Sequence, residues 1–516
     1  MKRVLFTLFA AAAVAIPAAA IEEPIRTQNG LVSGAAGKDA SVRVYKGIPY
    51  AAPPVGELRW KAPKPAPAWN GVREATQFSA VCMQVPYPQT SIYYSPLGAV
   101  SEDCLTLNIW TAAKSGKERR PVMVWIHGGG YTRGSGETPT YDGDLLATKG
   151  AVVVTVNYRL GIIGFFAHPD LTKESDVHSS GNYGLLDMVA ALEWVQKNIG
   201  GFGGDPKRVT IFGESAGSSA VNFLMASPLA KGLFQRVIGE SGANFGRRPT
   251  LAEAEQDGAR AAQKMGATTL AELRAKSAED LLKAEGAFRP SVDGWFLPED
   301  VSSIFEHHKQ SDVPLIAGYN HDEARTLAPW PSDGTAKSFV EQAHKRFGDL
   351  AEDFLKLYPA GSEEQAAESH YTSSRDQGMG WQMRTWVREQ TRTGKAPAYS
   401  YFFTRVPPGP GSEKYRSYHA AEIQYVFGNL RPNRPWEDAD RKLSDEMSSY
   451  WVNFAATGNP NGKGLPKWPS YDAKSDASLV FGDQIAVEHE VNKPALDFFD
   501  RYFAAQRSGQ TAGGSR

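Results

Sequence analysis

The sequence predicts an α/β fold built on a large, mostly parallel central sheet with helices on its faces. Short apolar runs rich in β-branched residues recur along the chain. Each is apolar at consecutive rather than alternate positions, as strands buried on both faces are. Between two of them lies a long stretch of helical periodicity, and strand–helix–strand alternation is the signature of parallel crossovers.

In chain order the runs are VMVWI (122–126), AVVVTV (151–156), RVTIF (208–212), RVIG (236–239), PLIAG (314–318) and AYSYFFT (398–404). The helical stretch is GLLDMVAALEWVQKNIG. Its Leu185, Met188, Val189, Leu192, Val195 and Ile199 share one face, and Gly200-Gly201 stops it. No internal repeat or long low-complexity linker divides the chain, so residues 21–516 read as one domain.

The first 20 residues are set apart. Met1-Lys2-Arg3 is positive, VLFTLFAAAAVAI is apolar and PAAA offers a small-residue exit, the pattern of a secretory signal peptide cleaved after Ala20. The expected location is therefore secreted or periplasmic, without a stable membrane anchor. No later stretch reaches the length of a membrane span, and the tail AAQRSGQTAGGSR reads as polar and frayed.

The chain has 516 residues, 41% hydrophobic and 22% charged, with a mean hydropathy of −0.38, an ordinary globular composition. Its 56 Lys and Arg against 57 Asp and Glu leave no basic field for nucleic acid or an anionic membrane. Cys82 and Cys104 are the only cysteines, so a disulfide within the chain has one possible connectivity. No metal-ligand spacing occurs: His489-Glu490 lacks the second histidine of HExxH, and His307-His308 has no partner motif. Lys117, Lys395 and Lys463 each lack the Ser or Thr of a phosphate-binding loop, and no cofactor is expected.

The stretch IFGESAGSS (211–219) places Ser215 between Gly213 and Gly217, after the strand RVTIF and before the helix-like SAVNFLMAS. Such a stretch reads either as a tight strand-to-helix turn that happens to contain serine or as a nucleophile elbow, and its place at the carboxyl edge of a parallel sheet favours the elbow, which projects the serine hydroxyl. A serine nucleophile needs oxyanion donors, a base and an orienting acid. HGGGY (127–131) follows the strand VMVWI, and its three glycines leave backbone N–H groups free to aim at one point. In the order nucleophile, acid, histidine, the loop after AYSYFFT leads to His419 as base. The strand PLIAGYN runs into His321-Asp322-Glu323, where spacing leaves Asp322 and Glu323 tied as the acid.

Several longer segments carry a resemblance. FGGDPKRVTIFGESAG (202–217), EDCLTLNIW (102–110), GIPYAAPPVGELRW, NYRLG, GNYGLLD and MSSYWVNFAATGNPNG are similar to segments of the type-B carboxylesterase and cholinesterase family of α/β-hydrolases, notably its bacterial para-nitrobenzyl-esterase-like members. The likeness covers roughly residues 25–485. It implies Ser215 as nucleophile, Glu323 rather than Asp322 as acid and His419 as base. It also implies Gly129, Gly130 and Ala216 as the oxyanion hole, Glu214 and Ser241 as supporting residues, and Cys82–Cys104 as a disulfide. Helices inserted at roughly 325–415 would roof the pocket. Departures are Ala112 after the second signature, Tyr131 for Phe, and Ala420 and Gln424 for the usual Gly and Pro after the histidine.

The function this implies is an exported serine esterase acting on small-molecule esters through an acyl-enzyme. A histidine of ordinary pKa would give activity rising through roughly pH 6–8. Two alternatives stay open: a non-catalytic binding or adhesion protein of the same fold, and an amidase or lactonase using the same site. Tyr93, Tyr94, Tyr131, Trp330 and Trp381 are candidate pocket aromatics.

Overall fold

Residues 21–507 are described by the computed structural model; the expected leader and the chain beyond Arg507 lie outside them. All six apolar runs become strands of one eleven-stranded mixed sheet. Its strands are β1 (Ala35–Ala36), β2 (Arg43–Pro49), β3 (Thr106–Thr111), β4 (Arg120–Ile126), β5 (Val152–Val156), β6 (Gly204–Glu214), β7 (Arg236–Glu240), β8 (Leu315–Asn320), β9 (Ala398–Phe403), β10 (Ala477–Phe481) and β11 (Ile485–His489). The spatial order is β11-β10-β9-β8-β7-β6-β4-β5-β3-β2-β1. From β10 across to β5 every pairing is parallel, and the pairings beyond at both margins are antiparallel.

The central strands are apolar at consecutive positions because both faces are covered. Val124 of β4 and Ile211 of β6 face one core, shared with Leu185, Met188 and Leu192 of α1 (Tyr183–Asn198) and with Val221 and Leu224 of α2 (Ala216–Ala226). Trp125 and Phe212, one residue on, face the other, where Trp451 and Phe454 of the helix Asp438–Thr457 pack. Each such fully buried side chain stabilises the fold by roughly 1.5–3 kcal/mol. Trp125 anchors the second core, with ring centroids 4.8 Å from Phe212 and 5.0 Å from Phe427.

Two features lock the segments around this sheet. Cys82 and Cys104 form a disulfide, as the family likeness implied. Arg159 of NYRLG, fully buried, meets Asp187 of GNYGLLD through paired bonds of 2.8 and 2.7 Å, and its backbone N–H donates to the same carboxylate. After β8 the chain leaves the sheet for helices at Ala324–Leu327, Ala336–Phe347, Ala351–Leu357, Glu363–Arg375 and Trp381–Thr393, then returns as β9. Of the tail expected to fray, Ala504–Arg507 instead close the helix Lys493–Arg507, because Leu496, Phe498, Phe499 and Tyr502 bury one of its faces, and the remainder lies outside the described residues. Among the described residues no helix is long and apolar enough to cross a membrane.

Candidate active site

The parallel register brings the carboxyl ends of β4, β6, β7 and β8 level. Gly213 lies beside Ile126 and Gly239, Glu214 beside Glu240, and Glu240 beside Gly318. At that edge β6 turns into α2 through Ser215, whose φ of 57° and ψ of −121° are strained for a side-chain-bearing residue. Neighbouring strands hold the turn. The Ser215 N–H donates to Glu240 O at 2.8 Å, and Ser215 O accepts from the Ser219 N–H at 2.8 Å. The two flanking glycines follow from close approach: a Cβ at Gly217 would lie 1.9 Å from Ile126 O, and one at Gly213 would lie 2.5 Å from the same oxygen.

The HGGG loop closes over this turn. A Cβ at Gly128 would stand 2.7 Å from Glu214 O, and Gly129 and Gly130 take φ values of 106° and 64° that favour glycine. His127 is not free for chemistry. It is buried and stacked on Tyr158 at 4.3 Å, and burial lowers its pKa to about 4. Among the described residues the backbone N–H groups of Gly129, Gly130 and Ala216 have no hydrogen-bond acceptor. Gly129, Gly130, Ser215 and His419 line one cavity of about 570 Å³; Ala216 stands behind Ser215 at the first position of α2.

The adjacent carboxylates that spacing left tied have different surroundings. Glu323 points to His419, its Oε2 2.5 Å from Nδ1. Its Oε1 accepts from Ser241 Oγ at 2.6 Å and from the Asn320 N–H at 2.7 Å, so Ser241 holds the Glu323 carboxylate directly. Asp322 points away and ties down the loop that carries the histidine. It pairs with His321 and Arg325 at 3.0 Å each and accepts from the Ser417 N–H at 3.3 Å, while its own N–H donates to Ser417 O. Burial opposes ionisation of Asp322, but hydrogen bonds and charge from His321 and Arg325 outweigh it and lower its pKa to about 2.

The other ring nitrogen of His419 faces Glu214, with Nε2 3.1 Å from Oε1. The two are not aligned as a hydrogen bond, and among the described residues none joins Nε2 to Ser215 Oγ. Burial alone would push the imidazole down. Carboxylates Glu214 and Glu323 on its two sides more than offset this, and its pKa is raised to about 9. Glu214 is itself pushed well up by burial, with Glu422 and Glu323 adding to the effect of burial and the His419 charge opposing it.

Three further buried groups complete the cluster and were not read from the sequence. Glu422 accepts from Asn320 Nδ2 at 2.5 Å, and burial, reinforced by Glu323, raises its pKa to about 7. Glu240 accepts from Trp451 Nε1 at 2.8 Å, and its pKa is pushed well up by burial. Asn320 also holds the histidine loop, donating to Tyr418 O at 2.9 Å. One signal was present: GES occurs at both 213–215 and 239–241, and parallel pairing sets the two glutamates side by side.

Of the candidate pocket aromatics, Tyr93 lines the cavity and donates to His419 O at 3.0 Å. Tyr94, Tyr131, Trp330 and Trp381 are not in its lining. Tyr131 packs on Phe165, Trp330 on Phe339 and His370, and Trp381 on Phe503. From the helical segment after β8, Thr326 and Leu327 reach the cavity. Ala420, where glycine is usual, sits at φ 69°, and Gln424 is buried with its amide on Ala421 O. Among the described residues no cluster of His, Cys, Asp and Glu could hold a metal ion.

The model of the carboxylesterase family matches residues 22–499. The fumonisin B1 esterase of Sphingopyxis macrogoltabida is 38% identical, over 92% of this chain and 90% of its own. The para-nitrobenzyl esterase of Bacillus subtilis (strain 168) is 37% identical, over 90% of this chain and 96% of its own. A solved PNB esterase structure superposes with a TM-score of 0.80 at 35% identity, covering 92% of this chain and 99% of that one.

Proposed function

The chain belongs to the carboxylesterase family and is a carboxylic ester hydrolase, and from that premise we propose that it works as an exported serine esterase with Ser215 as nucleophile. The observation that carries the reading is Glu323 held by Ser241 and Asn320 against His419, whose ring lines the same cavity as the strained Ser215. Residues 21–516 form one hydrolase domain, with a helical cap at roughly 325–415, and residues 1–20 are a cleaved leader.

The residues divide the work as follows. His419 turns Nε2 from Glu214 to Ser215 Oγ as an ester enters, since catalytic hydrogen bonds often tighten only in the substrate complex. It takes the hydroxyl proton while Oγ attacks the carbonyl carbon. Glu323 fixes the tautomer with the proton on Nδ1 and stabilises the imidazolium that forms. The carbonyl oxygen, now an oxyanion, receives N–H groups of Gly129, Gly130 and Ala216; losing one such donor typically costs about 3 kcal/mol of transition-state stabilisation. His419 then gives its proton to the departing alcohol, leaving an acyl-Ser215 ester that a water activated by the same imidazole hydrolyses.

Intact-mass labelling with an organophosphonate, beside Ser215→Ala and with p-nitrophenyl butyrate turnover in parallel, tests this. One adduct and full turnover in the parent, with both lost in the variant, are expected. A folded parent that takes no adduct and turns over no ester would reject Ser215 as nucleophile.

A further inference from the structure

Two cations stand in the walls of the cavity that holds Ser215: Arg133, just past the HGGG loop, and Arg431, after the helix Ile423–Val426. Both are half-buried. Glu214 is the one carboxylate among the described lining residues, and it faces His419 at 3.1 Å. Neither arginine has an ion-pair partner among the described residues.

Each guanidinium is held in place yet leaves donors unused. Arg133 lies 4.9 Å from the Tyr87 ring centroid, and among the described residues no acceptor engages its side-chain N–H groups. Arg431 gives one bond, its Nη1 donating to Ile92 O at 2.9 Å. Tyr87 and Ile92 both belong to the segment 82–104 that the disulfide closes. Gln84 of that segment clamps the loop of Arg133. Its Oε1 accepts from the Gly134 N–H and its Nε2 donates to Gly134 O, both at 2.9 Å. The Arg133 N–H in turn donates to Gly129 O at 3.1 Å, so the backbone of this cation rests on a glycine of the oxyanion loop.

Both charges reach the reacting end of the cavity. Burial raises the pKa of the Tyr87 phenol; the Glu214 charge adds to this and the Arg133 cation opposes it. Tyr141 is also pushed up by burial, with Glu214 again adding and Arg431 now opposing. Both phenols line the cavity, so each arginine acts on the same side chain as the carboxylate next to Ser215. A neutral ester would leave the unused donors to water. A carboxylate accepts from a guanidinium fork through two parallel charge-assisted bonds, and it would supply the counter-charge that the walls lack.

We propose that Arg133 and Arg431 select esters that carry a carboxylate away from the scissile bond, so that the enzyme hydrolyses anionic esters faster than neutral esters of the same shape. The proposal rests on the Ser215 esterase reading. It is tested with two matched pairs, one for each half of the substrate, comparing kcat/KM within each pair. The first is mono-p-nitrophenyl adipate against the p-nitrophenyl ester of adipamic acid. The second is para-carboxyphenyl butyrate against para-carbamoylphenyl butyrate. A preference of about tenfold or more for the anion is expected in at least one pair. Arg133→Gln combined with Arg431→Gln should erase most of that preference. Arg133→Lys combined with Arg431→Lys, which keeps the charge and loses the fork, should keep part of it.

A parent with no anionic preference in either pair, or a preference that the double Gln variant leaves intact, overturns the proposal while the esterase reading stands. Calorimetric titration of the parent with the free products needs no variant and no turnover. Adipate is compared with adipamate, and para-hydroxybenzoate with para-hydroxybenzamide. Binding about tenfold tighter for the more anionic member of one pair is expected, and equal binding in both pairs overturns the inference. A folded parent that hydrolyses no ester yet shows that tighter binding would reject the esterase reading and retain the anion site.

Discussion

Replacing Glu214 by Gln removes one of the two carboxylates that hold the imidazole of His419 in its charged form. A full unit charge at 3.1 Å, at an effective dielectric of about 20, is worth roughly 5 kcal/mol, or close to four pKa units. That is a ceiling, because burial pushes the Glu214 carboxyl up and the pair shares its protons. A fall of about one to two units in the His419 pKa, roughly 1.4–2.7 kcal/mol, is the working expectation. The sign is fixed by the chemistry. Only the neutral imidazole accepts the Ser215 proton, so the acid limb of kcat/KM lies near the raised pKa of about 9 in the parent and moves to lower pH in the variant. The parent should thus rise through a more alkaline range than the pH 6–8 of an unperturbed histidine. The assay is kcat/KM for p-nitrophenyl butyrate from about pH 5 to 10, each profile normalised to its own plateau. An acid limb that stays put in Glu214→Gln, or moves to higher pH, would refute the claim that Glu214 carries negative charge beside the ring.

Other substitutions separate chemistry from scaffolding. Glu323→Gln should lower kcat by about 10⁴, as losing the orienting acid of a serine triad does, and Asp322→Asn should lower Tm while keeping kcat within about tenfold. Equal losses of kcat in the two would place the acid wrongly. Replacing Cys82 and Cys104 together by Ser should lower unfolding stability by roughly 3 kcal/mol in urea titrations, with kcat unchanged. Gly217→Ala should abolish turnover and soluble expression, since its Cβ would lie 1.9 Å from a carbonyl oxygen. Gly200→Ala, with open space around the added methyl, should shift stability by no more than about 0.5 kcal/mol.

The strands were legible because burial on both faces leaves a continuous apolar run, and the helix Tyr183–Asn198 because its apolar residues repeat with helical spacing. The choice between Asp322 and Glu323 was not legible from spacing. Adjacent residues at a strand end differ only in direction, and direction depends on the Ser417–Tyr418 segment laid beside them. The start of the tail was hidden for a similar reason: Ala504–Arg507 continue a helix whose burial is set by Phe498 and Phe499 upstream.

Glu240 and Glu422 belong to the same class of hidden information. Alone, each is a glutamate at a strand end or just before a short helix. The register Gly213↔Gly239 and Glu214↔Glu240 makes one GES the flank of the other, and Asn320 bonds to both Glu422 and the loop of His419. A slip of one residue between β6 and β7 would turn Glu240 to the opposite face of the sheet. It would also remove the Glu240 carbonyl that accepts from the Ser215 N–H. The strained Ser215 turn and the charge state of His419 thus depend on one strand pairing, so a substitution that loosens β7 should register in the pH profile before it registers in the fold.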